Sequence, residues 1–465
     1  MGVLSDCLTG RTYHFAQAFP GSMDCTTTAM QKAIGDWFAL YFDNEVTEAE
    51  DPCQRLAYTV VSKLSRACFA EYEAQAVEQG TFVEPVLRQL FRVRKKAMQL
   101  ALIGGQAWLK PVPTGRGFSF VVMRRDQVTV LGRDAFGNIN ALGSVQVSWQ
   151  GKKRYTLLER RSLNQEGELI LEYKLFASGD GQSLGVPVPL SQCGEYAGLQ
   201  PRCVVGNLGG LGLVELSMPM ENCVDGSPDP VSVYAAAAGL IHNINQNERQ
   251  LSREFEHGES RVFASADLLR REKSGQRKLA SGLFVGLDDD PEHTGLTIFA
   301  PSLRQESFLA RKREYLRNVE SVIGLKRGLL GEVEAAQRTA TEVTSSQGDY
   351  SLTIQDLQQV WQQAVEQAVE LCSRLGRMYG FWRGPVLDVQ TCVRVSWGNG
   401  VLHDKDKEWQ QTVELVEQGW LRPEIALAWR YGMPWQSKEH LEQVRRQFMP
   451  EDSAQKASGE GQASQ

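Results

Sequence analysis

The stretch Thr339–Met378, TATEVTSSQGDYSLTIQDLQQVWQQAVEQAVELCSRLGRM, decides the fold of this chain. Apolar residues recur through it at helical spacing: Ala340, Val343, Tyr350, Ile354, Leu357, Trp361, Ala364, Ala368, Leu371 and Leu375. The spacing predicts one helix of about 40 residues, roughly 60 Å long at 1.5 Å per residue. Because ordinary helices are several times shorter, we expect the fold to be built around this spine helix. Its first turns, up to Tyr350, are small and polar, so the apolar stripe begins thin.

The composition bounds the class of protein. A chain of 465 residues is too long for one ordinary core, so two or three domains are expected. A hydrophobic content of 42% and a charged content of 23% are typical of a soluble globular protein. The net charge of -6 argues against tight, sequence-reading binding of nucleic acid. It is compatible with a protein past which DNA slides.

Signals of catalysis, metal binding and membrane insertion are missing from the sequence. The nine cysteines are scattered without a C-x-x-C pair, which favours reduced thiols in a cytosolic protein over disulfides or zinc. The six histidines are far apart, and no nucleophile elbow or phosphate-binding loop with its lysine occurs. No apolar run reaches the ~20 residues that span a bilayer, and MGVLSD at the start has no signal region. We therefore expect a non-enzyme with no cofactor and no membrane contact.

The first half of the chain combines helices with an antiparallel sheet. Apolar spacing predicts three helices within residues 24–104, the third ending at Gly104–Gly105. From Ala107 the pattern alternates, which predicts strands at 108–112, 118–123, 127–131, 144–149, 154–159 and 168–176. FGN at 136–138 and QEGE at 165–168 predict hairpin turns. The glycine-rich segment 204–215 is expected to be a flexible connection. The fold class is thus α+β and predominantly helical.

A group of cations lies on the third helix. Arg92, Arg94, Lys95 and Lys96 occupy the face opposite its apolar stripe. The face is either a patch for nucleic acid or a solvated helix surface, and solvated surfaces are several times commoner.

The middle of the chain predicts a helix that leaves the body and one that returns. Asp229 is a candidate N-cap, Pro230 fits the first helical position, and Gly258 ends the outgoing helix. The returning helix runs from about Leu303 to Ile323 and stops at Gly324. Between them, residues 259–301 alternate short strands with charged turns, among them REKSGQRK and the acidic DDDPE, which reads as a solvated turn rather than a calcium loop. Two such helices would lie side by side as a stalk with a small tip.

After the spine helix the pattern is mixed again. FWRGP (381–385) ends the helix, and 388–397 reads as a strand. Helices follow before Gly419, from Pro423 and after the candidate cap Ser437, and the segment 450–465 lacks apolar residues and is expected to be disordered.

The order of these parts, and the wording of three segments, resembles the portal proteins of tailed double-stranded DNA bacteriophages, of the siphophage type. The segments are RVRKKAMQLALIGGQAWLKPV (92–112), GLLGEVEAAQRTATEVTSSQGDYSLTIQDLQ (328–358) and VSWGNGVLHDKDKEWQQTVELVEQGWLRPEIALAWRYGMP (395–434). The resemblance covers nearly the whole chain and carries no catalytic signature. In the second segment, the compact EVEAAQR stands where the family often has a longer, glycine-marked stretch before its T-A-T-E element.

The resemblance implies a portal fold, a ring of twelve copies around an axial channel. Its parts would be divided along the chain as follows: a wing (1–226), stem helices (227–258 and 302–323), a clip (259–301), a tunnel loop (324–338), the spine helix and return strand of the wing (339–404), a helical crown (405–449) and the tail 450–465.

The function that this resemblance implies is passage of DNA. Such a ring occupies a capsid vertex of the virion, assembled in the host cytoplasm, where terminase packages double-stranded DNA through it and a head–tail adaptor later docks. Major capsid and scaffolding proteins are the other implied partners. The expected channel residues are Lys326, Arg327, Glu332, Glu334, Arg338 and Glu342, and the expected clip contacts are Arg270, Arg271, Lys273, Asp288, Asp289 and Asp290. Two alternatives stay open: a monomeric cytosolic enzyme with an unrecognised active site, and another structural head–tail component.

Overall fold

A computed structural model describes most of the chain. The described residues are 14–42, 53–115, 117–179, 184–257, 261–264, 269–271, 277–279, 296–299, 302–331, 340–388, 392–397, 405–431 and 438–449. The chain divides into two compact units, Met1–Trp397 and Gly398–Gln465. The first mixes helices with antiparallel sheets, as the predicted α+β class requires.

The predicted N-terminal helices are present. They are α1 (Thr28–Phe42), α2 (Leu56–Cys68) and α3 (Gly80–Gly104). Gly105 adopts the left-handed conformation, with a φ of 77°, and ends α3 as predicted. The sequence pattern did not predict β1 (Glu73–Ala76), because its partner β15 (Val393–Ser396) lies hundreds of residues away in the chain.

The six predicted strands form two antiparallel sheets, together with three short strands that the pattern missed, β8, β9 and β10. The first has the order β10-β2-β3, with β2 at Gln106–Thr114, β3 at Gly117–Arg124 and β10 at Val214–Ser217. The second runs β4-β5-β6-β7-β8, with β9 also pairing β7. Its strands are β4 (Val128–Arg133), β5 (Ile139–Gln150), β6 (Lys153–Leu163), β7 (Leu169–Ser178), β8 (Val186–Val188) and β9 (Arg202–Gly206). Both predicted hairpin turns are confirmed, since Asp134 N donates to Asn138 O at 2.9 Å and Asn164 N to Glu168 O at 3.0 Å.

Two antiparallel helices and two nested hairpins follow. The outgoing helix is α4 (Ala238–His257) and the returning helix is α5 (Gln305–Ile323). Between them β11 (Arg261–Ala264) pairs with β14 (Leu296–Phe299), and β12 (Leu269–Arg271) pairs with β13 (Arg277–Leu279). Two ion pairs run in opposite order along the pair: Glu248 with Lys312 at 2.8 Å, and Glu254 with Arg304, just before α5, at 2.7 Å. Asn247 Nδ2 also donates to Phe308 O at 3.1 Å.

The predicted spine helix is α6 (Ala340–Met378), and its buried residues join the main core. Trp361, Ala364, Val365 and Ala368 are fully buried against residues from α2, α3 and the three-stranded sheet. The described side chains of the predicted stripe, from Ile354 to Leu375, are buried as expected.

The second unit contains three described helices. They are α7 (Lys405–Glu417), α8 (Pro423–Tyr431) and α9 (Lys438–Phe448). Pro423 opens α8 as predicted. Arg445 Nε donates to the Glu424 carboxylate at 2.8 Å, and the Tyr431 and Phe448 rings stack at 4.5 Å, which ties α8 to α9. Ser437 and the segment 450–465 lie outside the described residues.

The prediction that Asp229 caps the outgoing helix is wrong. The helix begins later, at Ala238, and Asp229 is buried at 3% exposure. Its Oδ1 accepts hydrogen bonds from Arg125 at 3.2 Å and from Arg133 at 2.7 Å. Two guanidinium groups compensate for the loss of water around this carboxylate, so the residue joins the β4 hairpin to the segment that leads into α4.

The prediction of a flexible connection at 204–215 is also wrong. Its ends are β9 and β10, and its middle is held by Arg161, which donates to Leu211 O at 2.9 Å. Arg161 also pairs with the buried Glu159 at 2.5 Å. Burial alone would raise the pKa of Glu159, but Arg161 and Lys110 outweigh it and lower the pKa. The glycines let the backbone turn over a buried charge cluster.

Replacing Asp229 tests the buried charge at the entry to α4. Asp229→Ala leaves two arginines without their carboxylate, and Arg125 is buried, so the free energy of unfolding should fall by about 3–5 kcal/mol. Urea unfolding followed by circular dichroism measures it. Glu221→Ala, at an exposed site in the same connection, is the matched control and should change stability by less than about 0.5 kcal/mol. Equal midpoints for the two variants would contradict the role given to Asp229.

Candidate functional site

The candidate site is the loop that joins α5 to α6, which contains most of the residues that the sequence analysis expects in a channel. The structure describes its first part, Gly324–Gly331. Gly324 ends α5 in the left-handed conformation, with a φ of 73°. A Cβ at this position would lie 2.8 Å from Thr353 Oγ1 of α6 and would be strained in any case, so the close passage of the loop past α6 needs glycine.

A buried glutamate holds the loop from inside. Glu320, in the last turn of α5, is 3% exposed. Its Oε2 accepts the N–H of Gly328 at 2.9 Å, and its Oε1 accepts the N–H of Leu330 at 2.6 Å. Charge-assisted bonds of this kind are about twice as strong as neutral ones. The carboxylate therefore folds the loop back onto the end of α5.

A lysine from another helix fixes the loop from the other side. Lys63 Nζ of α2 donates to the carbonyl oxygen of Leu329. Leu325 is buried, and its N–H donates to Glu320 O at 2.8 Å. The first half of the loop is thus bonded to α2 and α5 and packed against α6.

The turn between these anchors presents two cations to solvent. Lys326 and Arg327 are both exposed, and the turn closes through Leu329 N donating to Lys326 O at 3.1 Å. Exposed cations on a fixed turn attract phosphate through screened Coulomb forces and without base selectivity. The structure therefore places Lys326 and Arg327 side by side on an exposed turn, and their part in a channel stays a prediction.

The structure shows less about the other predicted channel residues. Glu332, Glu334 and Arg338 lie outside the described residues. Glu342 lies in the first turn of α6. Their part in the site stays a prediction.

Sequence reasoning missed Glu320 and Lys63. A signal for Glu320 was available, because it occupies a position on the buried stripe of α5 formed with Leu316, Val319 and Ile323. An acid at such a position must find donors, and here it finds two backbone amides. Lys63 offered no local signal, because its acceptor is far away in the chain.

The prediction that Arg270 and Arg271 are turn residues is wrong. Both lie in β12, where Arg270 is in register with Lys278 and Arg271 with Arg277 of β13. Lys273, Asp288, Asp289 and Asp290 lie outside the described residues.

The described part of the chain has no metal-binding cluster and no membrane-spanning helix. It contains no group of three or more His, Cys, Asp or Glu residues that could hold a metal ion. Its cysteines form no disulfide, and burial raises the pKa of Cys68 to about 12, which keeps that thiol protonated and unreactive. None of its helices combines the length and apolar character needed to cross a membrane.

Comparison with known proteins finds matches among solved structures alone. No family model matches the chain, and no curated protein matches it. Among 57 similar chains of solved structures is one described as the neck of a native GTA particle computed with C12 symmetry. It aligns with a TM-score of 0.48 and 12% identity over 91% of this chain and 99% of that chain. At this TM-score the likeness does not establish a shared fold, so the function is argued from the residues of this chain.

Removing the Glu320 carboxylate should open the loop. Glu320→Ala takes away the acceptor of two backbone N–H groups, which costs about 1–3 kcal/mol locally. Limited digestion with trypsin, read by peptide mass, should then cut after Lys326 and Arg327 about tenfold faster than in the wild type. Glu314→Ala removes an exposed glutamate from the same helix and should leave the rate unchanged. Equal rates in both variants would show that Lys63 and Leu325 hold the loop alone.

Proposed function

We propose that this chain is a portal protein of the tailed-phage type, whose copies form a ring around a channel for double-stranded DNA. The proposal rests on the order of elements described above and on the resemblance of segments 92–112, 328–358 and 395–434. In this reading α4 and α5 are the stem, the hairpins between them the clip, α6 the spine of the wing, and α7 to α9 the crown.

The observation that carries the proposal is the exposure of large apolar side chains on the helix pair. Ile241 and Ile244 of α4, and Val319 and Ile323 of α5, are buried where the pair meets the body. The same helices expose Phe255 (46%), Leu309 (41%) and Val322 (50%), while Leu251 stays buried. A lone stalk that exposes large apolar side chains is unfavourable, whereas a ring covers them with the stalks of neighbouring copies.

The loop after the stem suits a surface that DNA slides past. Lys326 and Arg327 are cations, Glu332, Glu334 and Glu342 are acids, and hydroxyl residues surround the start of α6. When cations contact DNA phosphates, counterions are released, and this release drives binding. A loop of mixed charge makes fewer such contacts, so it holds DNA weakly and without sequence preference. A uniformly basic loop would retain the DNA.

The insert 259–301 is proposed as the docking surface for proteins outside the capsid. It carries basic residues in β12 and β13 and the acidic run Asp288–Asp290. In the proposed reading it meets terminase during packaging and the head–tail adaptor afterwards. The wing and crown then face the major capsid and scaffolding proteins within the virion.

The ring is tested on the purified full chain. Negative-stain electron microscopy should show a ring with a central hole, and mass photometry of the same sample should give about twelve times the chain mass of 51.9 kDa. A ring of thirteen copies would support the same conclusion. A monomer over the whole micromolar range, even with capsid and scaffolding proteins added, would favour the enzyme alternative.

The loop chemistry is tested by charge reversal. Replacing Glu332, Glu334 and Glu342 together with lysine should leave rings intact while the yield of packaged DNA falls about tenfold or more, because each added cation holds phosphate. The control is Glu166→Lys, at the exposed hairpin turn between β6 and β7. DNA packaging by terminase into proheads that carry each ring is the measurement. Unchanged packaging by the triple variant would contradict the role of the loop.

A further inference from the structure

One long face of α6 is exposed and lacks basic residues. Between Arg338 and Arg374 the sequence contains no lysine, arginine or histidine. The outward positions of the described helix are carboxylates and carboxamides, half-buried at Glu366 and Glu370 and exposed elsewhere: Gln355, Asp356, Gln359, Gln363, Glu366, Gln367 and Glu370. We name these seven residues the acidic face.

The acidic face borders a groove. Its wall opposite α6 is Val386–Asp388, the groove measures about 510 Å³, and Glu366 and Glu370 line it. Glu370 pairs with Arg374 at 2.6 Å, while Glu366 accepts a hydrogen bond from the neutral amide of Gln362 at 3.2 Å. Within the described part of the chain, neither Glu366 nor Asp356 has a cationic partner. The groove thus has room and charge for long basic side chains.

The opposite pattern occurs on α3. Between Glu84 and Asp126 the sequence contains no acidic residue. Four cations on one side of α3 are exposed, and none forms an ion pair with a residue that the structure describes: Arg88, Arg92, Lys95 and Lys96. We name these four residues the basic face. Arg94 does not belong to it, because its guanidinium lies 3.4 Å from the centre of the Phe91 ring and is half-buried.

The two faces match in spacing. Arg88, Arg92 and Lys96 follow one another at four-residue intervals, and Glu366 and Glu370 have the same interval. Along a helix this interval is roughly 6 Å, so two successive cations can meet two successive carboxylates in one register. The faces cannot meet within one chain, because α3 and α6 contribute Leu90 and Trp361 to the same core and turn these faces outward.

We infer that the acidic face of one copy receives the basic face of a second copy of this chain. The inference rests on the proposed function, because ring subunits need two different and complementary flanks. A contact between unlike faces is heterologous: it leaves one free face at each end, so it propagates until the ring closes. Steering by opposite charge also makes such association fast and dependent on salt.

A second copy explains both faces with one contact. DNA would satisfy the basic face, but it would be repelled by the carboxylates of the acidic face. The two stretches also differ in sign: residues 85–125 contain no acid, and residues 339–373 contain no base. Complementary charge is therefore the reason to choose a neighbouring copy as the occupant.

The test uses two full-length variants that should each fail alone and assemble together. The first carries Glu366→Lys and Glu370→Lys, and the second carries Arg88→Glu and Arg92→Glu. In a ring made of either variant alone, like charges face each other at every contact between copies. The assembled fraction in mass photometry should therefore fall about tenfold or more at moderate salt. Mixed one to one, every contact joins opposite charges again, and rings that alternate the two variants should form.

Controls separate folding from assembly. Circular dichroism and thermal melting should match the wild type for both variants, and the pair Glu166→Lys with Glu221→Lys, at exposed sites elsewhere, should assemble normally. Recovery in the mixture also excludes misfolding, because a misfolded copy could not be rescued by its mate.

The outcomes distinguish this inference from the proposed function. Rings of the wild type together with normal rings of either variant would overturn the contact and leave the proposed function standing. Failure of the mixture to assemble would also overturn the contact. Normal rings of the Arg88 and Arg92 variant, with weaker retention of DNA on a filter, would assign the basic face to nucleic acid. A wild type that never associates would overturn both conclusions.

Discussion

The long helix α6 must bury one side in the body while its other side stays outside, and the surrounding elements are arranged to meet this constraint. Trp361 is fully buried on its inner side, where its ring meets Phe69 edge-on at 5.4 Å and Tyr72 at 6.5 Å. Burying each such side chain is worth about 1.5–3 kcal/mol or more. Farther along, Ala364 and Ala368 are small, so β10 and the three-stranded sheet can approach the helix closely. One helix thereby organises α2, α3 and a sheet.

Buried carboxylates determine how the chain travels between the body, the helix pair and α6. Asp229 binds two arginines where the chain leaves the sheets, Glu159 anchors the glycine-rich connection through Arg161, and Glu320 holds the loop that leads into α6. Asp229 and Glu320 accept hydrogen bonds from other parts of the chain, and Glu159 accepts one from Lys110 of β2 as well as one from Arg161 in its own strand. A buried carboxylate with its donors adds little net stability, but a conformation that leaves it buried without donors is strongly disfavoured. These carboxylates therefore select one path of the backbone between elements. The three sites lie at successive connections, where apolar packing alone would leave several paths open.

The sequence predicted elements whose pattern is local and missed those that depend on distant partners. The bounds of α6, the stop of α3 at Gly105 and the two hairpin turns follow from spacing and glycine chemistry within a few residues. Asp229 was misread because a carboxylate before a proline has the local signature of a cap, whereas its arginines come from β4 and the turn before it. β1 was invisible for the same reason, since β15 supplies its hydrogen bonds. In the candidate loop, the exposed cations could be read from the sequence, and Glu320 could have been read from its place on the buried stripe of α5. Lys63 could not, because its acceptor is distant in the chain.

Segregation of charge gives the proposed assembly a further physical property. A channel that passes DNA must avoid holding it, yet this chain carries exposed cations on α3 that would bind phosphate if they stayed free. If the acidic face of a neighbouring copy covers them, these cations pair with carboxylates between copies and no longer bind phosphate. The paired carboxylates also repel nucleic acid. The loop that then meets DNA is the segment with mixed charge. Association between copies and weak contact with DNA would thus both result from the separation of acidic and basic residues onto different faces. The net charge does not reveal this separation, because it only sums the charges.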